Sequence, residues 1–316
     1  MASPAAIVFE NVTYTYPAAG TPALSGINLS VREGEIILVT GPTGSGKTTL
    51  CSCVNGFVPH FFGGELTGRI LVKGQDTRET TVGVLSSRVG LLFQDPFSQL
   101  VSATVEDEVA FGPENLGLPV EEITNRVNES LRYVRLDKYR DSSPSALSGG
   151  QQQACALAAI IAMKPDVYVL DEPTSNLDPI GTSMIFNLIK ELAEKERKTI
   201  IIVEHKLAQL VDIVDRVIVL KDGCVAVSGR PREVLGEKAE YLDTLGLHPP
   251  RLSLLARKLR NYGLKLDAVP LTLDETYDLL SKALKRESSG ASSIRSQLDT
   301  SPETSPAEDS IIKVKA

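Results

Sequence analysis

The stretch Ile36-Ile37-Leu38-Val39-Thr40-Gly41-Pro42-Thr43-Gly44-Ser45-Gly46-Lys47-Thr48 decides how this chain folds. Its first four residues are apolar at every position, the pattern of a strand buried on both faces, and residues 47–56 are compatible with a helix. Between them, residues 41–48 satisfy G-x-x-x-x-G-K-[ST] in the strand-loop-helix context that the motif requires. Gly41, Gly44 and Gly46 let the backbone turn its N–H groups inward around an anion, with Pro42, Thr43 and Ser45 completing the loop. The start of the following helix adds its dipole. Lys47 is expected to reach the β- and γ-phosphates of a nucleotide, and the Thr48 hydroxyl to ligate Mg²⁺.

Working outward, further continuous apolar runs occur at 89–93, 167–170, 200–203 and 217–220, separated by helical patterns such as 180–194. That alternation predicts an α/β fold with a parallel, helix-covered sheet. The β-branched and aromatic run at 7–14 and the alternation at 27–32 predict an antiparallel β subdomain at the N-terminus. No strand pattern stands out between 98 and 163, where Ile123, Val127, Leu131 and Val134 recur at helical spacing, so a helical insertion is expected there. Asp222-Gly223 between two apolar runs signals a hairpin. After Pro249-Pro250, residues 252–259 and 273–284 read as two short amphipathic helices, and the Ser-, Thr- and Pro-rich residues 287–316 as a structureless tail.

Composition narrows the class of function. The chain has 316 residues, 42% hydrophobic and 23% charged, which fits a folded globular protein. The longest nearly apolar run, 154–163, is far short of the roughly 20 residues that span a bilayer. No basic n-region with an apolar core opens the sequence, so a cytosolic protein is expected. A net charge of -7 without a basic block disfavours nucleic acid as a partner. Cys51, Cys53, Cys155 and Cys224 have no metal-ligand spacing and read as reduced thiols.

Two more segments carry chemistry. Val167-Tyr168-Val169-Leu170-Asp171-Glu172 is an apolar strand ending in two carboxylates that point to opposite sides, which divides their roles. Asp171 suits the Mg²⁺ shell, and Glu172 suits orienting or deprotonating an attacking water. Leu147-Ser148-Gly149-Gly150-Gln151 places an N-cap serine and two glycines at a second helix start, a second anion site distinct from the first.

With these three motifs in order, residues 7–229 resemble the ATP-binding cassette family, whose LSGGQ signature meets the phosphate loop of a partner subunit across bound ATP. The resemblance implies that Tyr16 stacks on adenine and that Gln94 is the Q-loop glutamine, near the metal with Thr48 and Asp171. It further implies that Thr49 lies at the nucleotide, that Ser175-Asn176-Leu177-Asp178 is the D-loop with Asp178 at the bound nucleotide, and that His205 is the switch histidine. Glu172, His205, Gln94 and Lys47 are the implied catalytic set, and Ser148, Gly149, Gly150 and Gln151 the implied contacts to the partner's ATP. The chain departs from the common family pattern at Gln152-Gln153-Ala154, where an arginine is frequent, and at Asn176, where alanine is frequent.

Residues 55–61, 94–100 and 105–115 also look like the ATPase subunits of energy-coupling factor importers, which take up vitamins and transition-metal ions. That branch implies a groove after the Q-loop for a helix of an integral membrane T component, itself joined to a substrate-binding S component. The expected organisation is an ATPase domain over 1–236, with a helical subdomain near 98–163, and a C-terminal helical extension over 237–286. The expected protein is a Mg²⁺-dependent ATPase, a homo- or heterodimer peripheral to the cytoplasmic face of the membrane. The alternatives are a subunit of a conventional ABC transporter and a soluble cassette ATPase. The second of these would carry two cassettes, a long coiled coil or a basic groove. Glu106-Asp107-Glu108 reads as a solvated acidic face.

Overall fold

The computed structural model describes residues 4–298 except 176 and 197. Asn176 of the expected D-loop and the end of the expected tail, 299–316, therefore lie outside the described residues. The strands are β1 (Ala5–Thr15), β2 (Leu24–Arg32), β3 (Ile36–Thr40), β4 (Glu65–Val72), β5 (Gln75–Asp76), β6 (Val89–Leu92), β7 (Val167–Asp171), β8 (Thr199–Val203), β9 (Arg216–Lys221) and β10 (Cys224–Gly229). The α-helices are α1 (Lys47–Val54), α2 (Phe57–His60), α3 (Val82–Ser86), α4 (Val105–Asn115), α5 (Val120–Tyr133), α6 (Gly149–Met163), α7 (Pro179–Glu196), α8 (Ala239–Thr244), α9 (Arg251–Asn261) and α10 (Leu273–Leu298).

The main sheet has the order β10-β9-β3-β8-β7-β6 and is parallel except at β10. Its period-two alternation divides two cores. Ile37, Val39, Val169, Ile201 and Val203 face the antiparallel sheet β2-β1-β4-β5 and α1, whereas Leu38, Leu170, Ile200 and Ile202 face the helices of the other layer. Both faces are covered, which is why these strands read as unbroken apolar runs rather than as alternating ones. At the hairpin, Asp222 (φ 48°) and Gly223 (φ 75°) take the left-handed pair that joins β9 to β10.

Residues 98–163 form no strand among the described residues and carry α4, α5 and α6, as the spacing predicts. The acidic face expected at 106–108 is only partly solvated. Glu108 is buried and accepts the N–H groups of Val101 and Ser102 at 2.8 and 2.7 Å, while Glu106 pairs with Arg140 at 2.6 Å. Three acids also suit the first turn of α4, where the helix dipole is positive.

The tail requires a correction. The structureless segment was expected from 287, but α10 continues to Leu298. No proline falls between 271 and 301, and serines and Gly290 lower helix propensity without removing a backbone donor, so they weaken the helix without breaking it. Ala283 packs with Ala256 and Leu266 in a small third core between α9 and α10.

A close seam lies between β6 and α6. A Cβ at Gly90 would sit 2.2 Å from Ile160 Cγ2 and 3.1 Å from Pro165 Cγ. Gly90→Ala is therefore expected to destabilise the fold by about 1–3 kcal/mol through overpacking. Chemical denaturation checks it as a lower midpoint at unchanged slope.

Candidate functional site

Parallel strands deliver their carboxyl ends to one edge of a sheet, and ligands of open α/β sheets bind there. At that edge, β3 leads into residues 41–46, β6 into Gln94, β7 into Glu172 and β8 into His205. A cleft of about 920 Å³ is lined there by Tyr16, Lys47, Thr48, Gln94, Glu172 and His205, together with Thr43, Gly44, Gly46 and Thr49. Residues from five separate segments of the sequence thus meet in one place.

The loop is shaped by its glycines. Gly44 (φ 78°) and Gly46 (φ 99°) take left-handed backbone, and a Cβ at Gly46 would lie 2.5 Å from the Ala23 carbonyl. Lys47 is 7% exposed, and its Nζ donates to the carbonyls of Gly41 and Pro42 at 2.9 and 3.0 Å. The ammonium is therefore already curled over the cradle that it would share with phosphate. Burial pulls its pKa down, although Glu172 and Asp171 oppose the shift. Tyr16 reaches Thr49 through hydroxyl oxygens 3.1 Å apart and packs edge-on against Tyr14 and Phe62.

Asp171 is 3% exposed; it accepts a hydrogen bond from Thr48, while its Oδ1 has no partner. Burial, with a smaller push from Glu172, raises its pKa. An orphaned, buried carboxylate oxygen beside a hydroxyl fits a hard cation, and Mg²⁺ is commonly held by one or two carboxylates plus substrate phosphates. The described residues hold no cluster of three or more His, Cys, Asp or Glu side chains suited to a metal, so phosphate would have to complete the shell.

Glu172 takes φ 47° and anchors its N–H on the Val203 carbonyl at 2.9 Å. Its Oε2 accepts from Gln94 Nε2 at 3.0 Å, and its Oε1 lies 3.2 Å from His205 Nε2. The expected acid, Q-loop glutamine and switch histidine therefore converge on one carboxylate. Sequence reasoning passed over Gln99, whose side chain accepts the Phe93 N–H at 2.8 Å and donates to the Leu91 carbonyl at 3.0 Å, bracing the residue before Gln94. It also passed over Glu204, whose only signal is a carboxylate directly behind the apolar run 200–203.

The second glycine-rich segment stands apart. Ser148, Gly149, Gly150, Gln151, Leu177, Asp178 and Gly181 line a separate cavity of about 740 Å³ that shares no residue with the first. Ser148 caps α6 in a reciprocal box: its N–H donates to Gln151 Oε1 at 3.0 Å, and its Oγ accepts the Gln151 N–H at 3.4 Å. Asp178 accepts the Gly181 N–H at 2.7 Å, which places it on this side rather than beside Lys47.

The family profile described as ABC transporter matches residues 24–175. An ABC transporter ATP-binding protein described from Pyrococcus horikoshii is 43% identical over 280 residues, covering 89% of this chain and 98% of that protein. An energy-coupling factor transporter ATP-binding protein of Caldanaerobacter subterraneus subsp. tengcongensis is 41% identical, with 86% and 97% covered. A Methanosarcina mazei relative of the ABC transporter ATP-binding type is 44% identical over 81% of this chain, which spans only 43% of that relative's length. Among solved structures, cbiO1 of Clostridium perfringens, part of the transporter complex cbiONQ, superposes with TM-score 0.67 at 36% identity, covering 80% of this chain and 99% of that one. A dimeric ATP-binding cassette bound to ADP and Pi gives TM-score 0.62 at 28% identity, over 71% and 98%.

Asp171 generates a test in the isolated protein. Its raised pKa means that the fold favours the uncharged carboxyl, so the charged form costs stability above that pKa. The cost shrinks as pH falls through the raised value and vanishes below the ordinary carboxyl range, where folded and unfolded chains are both protonated. Asp171→Asn is thus expected to stabilise the nucleotide-free protein at neutral pH by about 1–3 kcal/mol and to lose that advantage in acid. Melting temperatures across pH check it.

Proposed function

Because the chain belongs to the ABC transporter ATP-binding proteins, we propose that it is a Mg²⁺-dependent ATPase subunit whose dimer closes on two ATP molecules and drives transport across a membrane. The observation that carries this reading is the division of the chemistry between two cavities that share no residue, one with Lys47 and Glu172, the other with Ser148 and Gly149. A second copy, or a related cassette, turned head to tail brings the two kinds together. The dimeric neighbour bound to ADP and Pi supports this arrangement.

In the proposed reaction water attacks the γ-phosphorus of ATP, the bond to the bridging oxygen of ADP breaks, and phosphate leaves. Lys47 and the backbone N–H groups of Gly44 and Gly46 would hold the β- and γ-phosphates, and Thr48 and Asp171 would hold Mg²⁺, with Gln94 beside them. Mg²⁺, when bound, neutralises charge on the phosphate oxygens. Glu172 takes the proton of the attacking water. Each of its oxygens carries one contact, from Gln94 or His205, and keeps a further lone pair that can receive the proton. Tyr16 offers a face for adenine. Ser148, Gly149, Gly150 and Gln151 present the second helix start to the partner's γ-phosphate, with Asp178 at the same seam.

The transporter branch we favour is energy-coupling factor import of a vitamin or transition-metal ion, with a membrane T component and a substrate-binding S component. The energy-coupling factor ATP-binding relative and the cbiO1 neighbour support it. So does a groove of about 740 Å³ between β6, α4 and α6, lined by Phe93, Leu100, Phe111 and Ile160, with Phe97 61% exposed nearby. No described helix is long and apolar enough to cross a membrane, so attachment would be peripheral, through this groove. The proposed domain limits are those expected above, with the extension drawn out along α10.

Glu172→Gln is expected to keep ATP affinity, lower turnover by about 10²–10⁴-fold and accumulate an ATP-bound dimer on size exclusion. Near-normal hydrolysis would overturn the assignment of the base. Phe97→Asp is expected to abolish capture by the membrane component while basal ATPase of the isolated subunit survives, because it places an unpaired charge at an apolar contact. Co-purification and a phosphate-release assay on the same preparation check it, and joint loss of both would mean that Phe97 supports the fold.

A further inference from the structure

Three segments that lie between the two cavities are tied together behind the site by side chains with no part in the chemistry described above. Glu204 follows β8 and is 2% exposed. Its Oε2 accepts the backbone N–H of His205 at 2.7 Å and that of Lys206 at 3.2 Å. Its Oε1 accepts the hydroxyl of Thr174, also buried, in the loop after β7. Lys206 completes the circuit: its Nζ donates to the Thr174 carbonyl at 2.9 Å and to the Thr182 hydroxyl at 3.1 Å, in the first turn of α7. That turn reaches the second cavity, because the Gly181 N–H is held by Asp178 and a Cβ at Gly150 would lie 3.2 Å from Gly181 Cα.

We propose that Glu204 and Lys206 are positioning residues for ATP hydrolysis: Glu204 aims His205 at Glu172 by gathering two consecutive N–H groups, and Lys206 locks that loop to the α7 wall of the second half-site. This rests on the function proposed above. The physical case is strongest for Glu204. A buried carboxylate that collects two amides and a hydroxyl makes charge-assisted bonds, which are shorter and about twice as strong as neutral ones. It fixes the backbone at the residue whose ring stands 3.2 Å from Glu172. A ring on a free loop would sweep past that carboxylate, whereas a ring on a backbone pinned at two successive amides has one direction. The Lys206 branch then makes displacement of His205 inseparable from displacement of Thr182 and, through Gly181, of the glycine-rich start of α6.

Glu204→Met tests this in the full chain, since the thioether keeps the length and volume of the side chain but removes the oxygens that accept the two N–H groups. Hydrogen exchange reads the geometry without nucleotide: the amides of 205 and 206 are expected to exchange about 10- to 100-fold faster, while those of 200–203 in β8 keep their rates. Steady-state ATPase assays read the consequence. Turnover is expected to fall by about tenfold or more with KM for ATP within about twofold of wild type. In a His205→Ala background the same change is expected to leave single-turnover rates unaltered, because its route through His205 is gone. Unchanged exchange at 205 and 206, or an equal loss of turnover with and without His205, would overturn the proposal. If Glu204→Met does not fold, Thr174→Val removes one donor at constant volume and is expected to lower turnover about 2- to 10-fold, and no change would count against it. A wild-type chain that fails to hydrolyse ATP would overturn the proposed function instead, leaving the exchange measurement to judge the geometry.

Discussion

Four parallel strands, β3, β8, β7 and β6, lie side by side and end at one edge, and the rest of the molecule depends on that constraint. Parallel strands need crossover connections, so their carboxyl ends collect groups that are far apart in the chain. Lys47, Gln94, Glu172 and His205 come from four such ends, and Gln94 reaches Glu172 across a separation of 78 residues. The strands can do this because each is buried on both faces, with alternate residues feeding two separate cores. Covering one face with the β2-β1-β4-β5 sheet and the other with helices leaves the edge as the place where polar side chains meet solvent.

That edge is electrostatically costly as it stands. Lys47 is buried with its ammonium on its own loop's carbonyls, and Asp171 is buried with an oxygen that has no partner. Burial moves both pKa values toward the neutral forms. The two groups sit close enough to favour each other's charge, yet desolvation outweighs that attraction in both. A site left in this condition is preorganised for a ligand that brings several negative oxygens and a cation, because such a ligand relieves both groups at once.

A different economy governs the second cavity. The start of α6 is already capped by Ser148 and Gln151, so its dipole is available without any side-chain charge. Its glycines allow α6 and α7 to approach so closely that Gly150 and Gly181 face each other. The hydrogen bonds of Glu204, Thr174 and Lys206 join this seam to the 204–206 loop that carries His205.

Much of this was legible in the residues alone. Wholly apolar runs announce strands covered on both faces, and G-x-x-x-x-G-K-T after such a run announces a phosphate loop, because both signals are local and depend on backbone geometry within a few residues. The helical insertion and the Asp222-Gly223 hairpin are local in the same sense. The tail was misjudged because serine-rich sequence is only weakly unfavourable to a helix, and α10 runs on to Leu298. Glu108 was misjudged because burial is set by which neighbours arrive, and the N–H groups of Val101 and Ser102 arrive through a turn that no periodicity signals. Glu204, Gln99 and the placing of Asp178 beside Gly181 rather than Lys47 belong to the same class. The sequence by itself determined the elements and the chemistry of their ends, whereas the tertiary structure alone decided which side chains share a carboxylate, because hydrogen bonds between distant segments depend on three-dimensional register and leave no mark on local pattern.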